Sequence, residues 1–108
     1  MLLPIKFTLG AERDLFGIYD YIAEHDSPKK ANQLLDHLQK IINNLSENPE
    51  RGTFPKELLQ LGIREYRQVY FKPYRVIYRV LQAQMLIYLI VDGRRDMQSL
   101  LERRLLML

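Results

Sequence analysis

The sequence predicts an α+β fold: a small antiparallel sheet packed against an N-terminal helical hairpin, in the order β-α-α-β-β-β-α. Two observations predict it. Apolar residues recur at helical spacing through the first half of the chain, and the period changes to two after Gly62. With 108 residues, of which 47% are hydrophobic, the chain has material for one core, so we expect a single domain over residues 1–108.

One strand and two helices are predicted in the first half. Residues 3–8 are apolar and partly alternating, which favours a short strand. The helical spacing that follows predicts a helix ending near His25. Ser27 and Pro28 then supply an N-cap and a first-turn proline for a second, longer helix. Because the connection is short, we expect the two helices to pack antiparallel.

Three strands and a final helix are predicted in the second half. The turn cluster at residues 48–52 ends the second helix, and a loop with one helical turn extends to Gly62. Residues 63–71, 74–80 and 85–91 have strand patterns, and the last of these lacks polar alternation, which indicates burial on both faces. Asp96 is placed to cap the last helix, whose apolar side comprises Met97, Leu100, Leu101 and Leu105.

The charge is unevenly distributed along the chain. Residues 1–63 hold seven Lys or Arg against nine Asp or Glu, whereas residues 64–108 hold nine against four. Eight of the ten arginines lie in this basic C-terminal part, and arginine suits bidentate contacts with phosphate or carboxylate. Two interpretations stay open: a polyanionic or acidic partner, or a solvated basic sheet face.

Several classes of function lose support. Without Cys the chain has no disulfides, thiol nucleophiles or Cys-bound zinc, and no apolar run approaches the roughly 18 residues of a membrane span, so we expect a cytoplasmic protein that does not contact membranes. His25 and His37 fall on or beside the helices and are interpreted as exposed helix residues. No second His or paired carboxylate stands at ligand spacing, so we expect no metal. Since no nucleophile elbow or Gly-rich phosphate loop occurs, we also expect no conventional hydrolase, nucleotide site or cofactor.

Basic and aromatic residues interleave on two predicted strands. The run comprises Tyr66, Arg67, Tyr70, Phe71, Lys72, Tyr74, Arg75, Tyr78 and Arg79. Rings can stack on unpaired bases while Arg and Lys hold phosphates. Tyr74 and Tyr78 are expected to point into the core with Val76. The surface candidates are therefore Arg67, Lys72, Arg75 and Arg79.

The C-terminal segments resemble the signature of ParE-type toxins in the RelE/ParE superfamily. The resemblance lies in residues 71–80 (FKPYRVIYRV) and 91–101 (VDGRRDMQSLL), with weaker similarity around Ala11, residues 14–15 and 21–22, and the turn at residues 45–49. It implies a small sheet backed by a helical hairpin, a cognate antitoxin that wraps the domain, and an oligomer formed with that antitoxin.

The resemblance also implies one of two targets. RelE-like members cleave mRNA in the ribosome with a basic and aromatic cluster on the concave sheet face, or in some branches with a Glu and a His near the end of the last strand. ParE-like members instead inhibit DNA gyrase. Arg75 matches the central strand arginine of the nuclease branch. Residues 92–95 (DGRR), however, stand where nuclease members would supply a His or Tyr.

We therefore interpret the chain as a ParE-like gyrase inhibitor without catalytic residues. The alternative is a ribosome-dependent mRNA endoribonuclease, and an inactive, antitoxin-binding remnant comes third. In the nuclease alternative the residues at work would be Arg75, Glu65, Arg79 and Lys72. Arginine stays protonated at working pH and is an unsuitable base, and this half of the chain has no His to act as the acid that would complement Glu65.

The predicted target-binding surface extends into the last helix. Its arginines have no obvious acidic partner in the sequence beyond Glu102, which would leave them free to meet a target. The full set of predicted target-binding residues is Arg67, Lys72, Arg75, Arg79, Arg94, Arg95, Arg103 and Arg104.

Overall fold

A four-stranded sheet carries helices on both faces in the computed structural model, which describes residues 2–106. The elements are β1 (Ile5–Phe7), α1 (Leu9–His25), α2 (Pro28–Glu47), α3 (Lys56–Leu59), β2 (Arg67–Phe71), β3 (Tyr74–Leu81), β4 (Gln84–Asp92) and α4 (Met97–Leu105). The predicted α+β class and element order are confirmed, and α3 is the single helical turn expected in the loop.

The sheet is mixed rather than wholly antiparallel. Its strand order is β1-β4-β3-β2; β2, β3 and β4 pair antiparallel as predicted, but β1 pairs with β4 in parallel. The expectation of an antiparallel sheet was therefore wrong for β1. A strand's direction beside a distant neighbour depends on the path of the intervening chain, and the local pattern of a three-residue strand does not record that path.

The helix ends follow the predicted capping chemistry. The Ser27 hydroxyl oxygen accepts a hydrogen bond from the backbone N–H of Lys30 (3.1 Å), and Pro28 occupies the first turn of α2. The Asp96 carboxylate accepts from the backbone N–H of Ser99 (3.2 Å) at the start of α4. Both caps satisfy donors that the helix itself leaves unpaired.

Two strands are shorter than predicted, for local reasons. β2 begins at Arg67 because the chain before it folds back on α3, where the backbone N–H of Ile63 donates to the Leu58 carbonyl (3.0 Å). β1 ends at Phe7 because Thr8 is the N-cap of α1, its hydroxyl accepting from the N–H of Ala11.

Each face of the sheet has its own core. On β3, Val76 and Tyr78 face α1 and α2, whereas Ile77 faces α3 and α4. Both sides of β4 are covered, as predicted, and the apolar side of α4 packs against the sheet. The second face is therefore a packed core over much of its area, not an open concave surface.

The turn that follows α2 is hydrogen-bonded to Tyr78, which belongs to the core between the sheet and helices α1 and α2. The buried Tyr78 hydroxyl donates to the carbonyl of Pro49 (2.6 Å) and accepts from the N–H of Gly52 (3.0 Å). A Cβ at Gly52 would lie 2.4 Å from that hydroxyl oxygen, so only glycine fits. Burial raises the pKa of Tyr78, which keeps the hydroxyl protonated as a donor.

Candidate target-binding surface

Arg75, the central strand arginine, is buried. Only 4% of the residue is exposed. Its Nη1 and Nη2 atoms donate to Oε2 (3.0 Å) and Oε1 (2.9 Å) of Glu57, and its Nε donates to Oε1 of Gln68 (2.7 Å). The prediction that Arg75 is a surface residue was wrong, because α3 brings a carboxylate directly over the guanidinium and completes a bidentate pair.

The residues around Arg75 leave space for its side chain and contact it. A Cβ at Gly93 would lie 2.8 Å from the Arg75 Cδ, so the glycine after β4 makes room for the side chain as well as forming a turn. The ring of Tyr70, its neighbour on β2, lies 5.8 Å from the guanidinium carbon. Arg75 thus connects α3, β2 and the end of β4.

Glu57 is ionised in this arrangement. Its hydrogen bonds from Arg75 hold the pKa of Glu57 below its ordinary value, against the opposing effect of burial. Within residues 2–106, no buried side-chain nitrogen or oxygen lacks a hydrogen-bond partner. Glu57 and Gln68 take four of the five N–H groups of Arg75, and the residue is buried, so an RNA phosphate could pair with the guanidinium only by displacing Glu57.

The other residues of the nuclease alternative are not gathered around Arg75. Glu65 and Arg79 line a shallow depression of about 230 Å³ near residues 49–50, at the far end of β3. Lys72 lies in the exposed turn between β2 and β3. Buried Arg75 stands between these positions, so the four residues form no single site.

Arg67 and Arg79 both reach that depression, and both also have partners within the chain. The Nη1 of Arg67 donates to the Gly52 carbonyl (2.8 Å), and its guanidinium carbon lies 4.4 Å from the ring centroid of Phe54. The guanidinium carbon of Arg79 lies 5.6 Å from the ring centroid of Tyr66. Burial raises the pKa of Tyr66, so even less of its phenolate is present at neutral pH to accept a proton.

Two of the four C-terminal arginines have acidic partners that the sequence did not reveal. Arg104 donates through both Nη atoms to the carboxylate of Asp14 on α1 (3.1 and 3.0 Å), which also accepts the backbone N–H of Ile90. Arg94 pairs with Asp92 (2.6 Å). The prediction that these two arginines are free was wrong. Arg103 and Arg95 are exposed.

The Arg94 pair differs in character from the Arg104 pair. Asp92 accepts from both the side chain and the backbone N–H of Arg94, and these bonds lower the pKa of Asp92 to about 2. The Arg94 side chain is 79% exposed, so its outer surface remains open to a partner. The accessible part of the predicted C-terminal surface therefore comprises Arg94, Arg95 and Arg103.

The two histidines lie on the helices. His25 stacks on Tyr21 with ring centroids 4.2 Å apart, and His37 meets Phe71 edge-on at 5.9 Å. In the part of the chain that is described, no three His, Cys, Asp or Glu side chains are grouped to hold a metal ion.

Residues 5–97 match the protein family described as "ParE toxin of type II toxin-antitoxin system, parDE". The chain belongs to this family. It is thus a ParE-type toxin of a type II toxin–antitoxin system, and the predicted RelE/ParE resemblance is confirmed.

One curated relative is also a ParE toxin, and two solved structures share the fold. The toxin ParE3 of Caulobacter vibrioides is 26% identical over 97 residues, covering 90% of this chain and 93% of its own. A chromosomal ParDE system from P. aeruginosa contains a chain with a TM-score of 0.68 at 20% identity, covering 84% of this chain and 96% of that one. A chain of the RelBE2 toxin–antitoxin complex from Mycobacterium tuberculosis gives 0.57 at 18% identity, covering 85% and 99%.

No helix within residues 2–106 of this ParE-family toxin combines the length and apolar character needed to cross a membrane.

Sequence reasoning missed three residues that organise this ParE-type surface: Glu57, Gln68 and Asp14. Glu57 stands 18 residues from Arg75 and Asp14 stands 90 residues from Arg104, so no local spacing links the partners. Only one feature of the sequence pointed to Glu57. It is a carboxylate next to apolar Leu58, in the loop that was expected to contain one helical turn.

Proposed function

We propose that this ParE-type toxin inhibits DNA gyrase by binding it and does not cleave RNA. The observation that carries the proposal is the burial of Arg75 beneath Glu57. A nuclease of this superfamily would be expected to expose that guanidinium on an open sheet face, and here α3 and α4 pack over the face instead.

Proton chemistry supports the same proposal. Cleavage through a 2′-hydroxyl needs a base and an acid, each with a pKa near the working pH. The groups beside the two strand arginines are shifted the other way: the pKa of Glu57, which pairs with Arg75, is lowered, and the pKa of Tyr66, which faces Arg79, is raised. Both histidines lie on α1 and α2, so neither is on the strands that carry Arg75 and Arg79.

Inducible expression in bacterial cells tests the proposal. A gyrase inhibitor should induce a DNA-damage reporter and arrest replication while protein synthesis continues at first. An immediate halt in translation with the reporter silent would favour the ribosome-dependent endoribonuclease, and unimpaired growth would favour the inactive remnant.

We further propose that a cognate antitoxin occupies the groove beside the helical hairpin. The groove has a volume of about 340 Å³ and lies between β1 and the two long helices, with an apolar lining that includes Ile5, Phe7, Leu15, Leu35, Leu38 and Ile42. β1 is an edge strand, so an extended segment can also reach its outer backbone groups. The similar chains from P. aeruginosa and M. tuberculosis come from a ParDE system and a RelBE2 complex, respectively.

Co-expression with the small protein encoded next to the toxin gene tests this second proposal. We expect a complex on size-exclusion chromatography and restored growth. Leu35→Glu should abolish the complex because it places a charge in the groove, whereas Gln33→Glu on the exposed side of α2 should not. Equal binding by both variants would place the antitoxin elsewhere.

A further inference from the structure

A cleft opens on a different side of α1 from the apolar groove. It lies between α1 and the end of the sheet where β3 begins and β4 ends, with a volume of about 540 Å³. Arg13, Gly17 and Tyr21 stand four residues apart and form one ridge along α1. The opposite wall includes Tyr74, Asp92, Arg94 and Arg95.

The cleft is positively charged. Of its two carboxylates, Asp92 is neutralised by Arg94, and Asp14 is neutralised by Arg104 from outside the cleft. Among residues 2–106, neither Arg13 nor Arg95 forms an ion pair. These two guanidiniums remain available for an anionic ligand, and arginine is well suited to phosphate.

The cleft also offers an aromatic surface. Tyr21 is 63% exposed, although His25 stacks on it. Tyr74, half-buried on the opposite wall, adds a second ring. An exposed ring beside free guanidiniums is a combination that holds unpaired bases and their phosphates.

Gly17 is not explained by packing within the chain. Glycine in a helix interior is destabilising relative to alanine. A Cβ at Gly17 would meet nothing within 4 Å, so no contact in the fold requires its absence. A missing side chain on the ridge between Arg13 and Tyr21 does, however, let a ligand approach the backbone of α1 closely.

We propose that this cleft binds single-stranded nucleic acid. Arg13 and Arg95 contact phosphates, Tyr21 stacks on a base, and the strand passes over Gly17. Arg13 and Tyr21 are separated by about 12 Å along the helix axis, which leaves room for a phosphate at one end and a base at the other. A duplex keeps its bases stacked and cannot use the rings in this way. The binding involves no cleavage and does not depend on the gyrase proposal.

Fluorescence anisotropy of a short labelled oligothymidylate with the purified full chain tests the inference. Tyr21→Ala should weaken binding by about tenfold, the loss expected for one stacked base. Gly17→Leu should abolish binding without lowering the melting temperature, since leucine is the better helix former and has space. A purely structural role for Gly17 would instead lower the melting temperature.

Arg64→Ala is the matched control, because it removes the same charge from an exposed position before β2 and outside the cleft. Arg13→Ala should reduce the salt dependence of log K by about 0.7, the value for one phosphate contact on a single strand, and Arg64→Ala should leave it unchanged. Equal loss in both variants, equally tight binding of the matching duplex, displacement by polyglutamate at the same concentration, or no binding at low salt would each overturn the inference. No gyrase is present in the assay, so none of these results bears on the proposed target.

Discussion

At the scale of single residues, the buried pair between Arg75 and Glu57 decides how this protein should be understood. The same arginine would be a charge stabiliser on an open sheet face, but here it is a structural cation with a dedicated carboxylate. Breaking such a pair is costly because the remaining charge is left buried and unmatched. The pair is therefore tested first through its contribution to the free energy of unfolding.

Glu57→Gln should lower the free energy of unfolding by about 3 kcal/mol at neutral pH, since it leaves the Arg75 guanidinium without its counter-charge. Urea denaturation measures the loss. Glu65→Gln, which removes the same charge from an exposed position, should stay within about 0.5 kcal/mol of the parent. A small loss in Glu57→Gln would mean that α3 does not hold Arg75 in solution.

The pH dependence of that difference has a defined sign. The pKa of Glu57 in the folded chain lies below its ordinary value of 4.5, because Arg75 stabilises the ionised form. The contribution of Glu57 is therefore fully present above about pH 4.5 and is lost as the pH falls through the folded-state pKa. Urea curves at acidic pH should show the parent and Glu57→Gln converging, and a gap that widened in acid would contradict the assigned ionisation.

At the scale of elements, the hairpin between β3 and β4 has a backbone conformation that its two connecting residues do not favour. Its two connecting residues, Gln82 and Ala83, both have positive φ angles (54° and 58°). Tight hairpins of this kind favour Asn-Gly because side chains with a Cβ are strained there. Ala83→Gly should therefore raise the free energy of unfolding by about 1 kcal/mol, measured by thermal or urea denaturation. Destabilisation would show that the turn is not in this conformation.

Two adjacent arginines in the last turn of α4 should differ in how much they contribute to stability. Arg104 is bidentate to Asp14 and ties α4 to α1, whereas Arg103 is exposed. Arg104→Ala should cost about 2 kcal/mol of stability, because it removes charge-assisted hydrogen bonds to a partly buried carboxylate. Arg103→Ala should cost less than about 0.5 kcal/mol. Equal effects of the two substitutions on the melting temperature would contradict the Asp14 contact.

How much could be predicted from the sequence differs between these elements. The caps at Ser27 and Asp96 were predictable because the capping side chain and the N–H it accepts from lie three residues apart. The parallel pairing of β1 and the contact of Glu57 with Arg75 were not, because each depends on how distant segments meet. The strand pattern correctly placed the side chains of Arg75 and Val76 on opposite faces of β3. It could not show whether water or a helix covers the face that carries Arg75.

At the scale of the whole molecule, the basic C-terminal half is less available to partners than its composition suggests. Three of its arginines, Arg75, Arg94 and Arg104, are paired with carboxylates, two of which come from the acidic N-terminal half. The charge asymmetry therefore contributes in part to holding the two halves together. The accessible remainder at the C-terminal end includes Arg95 and the exposed face of Arg94.

Replacing Arg94 and Arg95 together with Ala should separate toxicity from stability. Their side chains are exposed, and the Arg94–Asp92 pair is a surface pair of small worth. The melting temperature should therefore stay within a few degrees of the parent, while growth inhibition on induction should be lost. A large fall in melting temperature, with toxicity reduced only in proportion, would show that both residues have a structural role instead.

Gyrase inhibition and a sheet face that is closed to RNA chemistry can be tested in one pair of reactions. Purified toxin is added to a gyrase supercoiling reaction and, in parallel, to translating ribosomes with a defined mRNA. Supercoiling should be inhibited and the mRNA should stay intact. Codon-positioned cleavage of the mRNA, abolished by Glu65→Gln while supercoiling proceeds undisturbed, would contradict both statements.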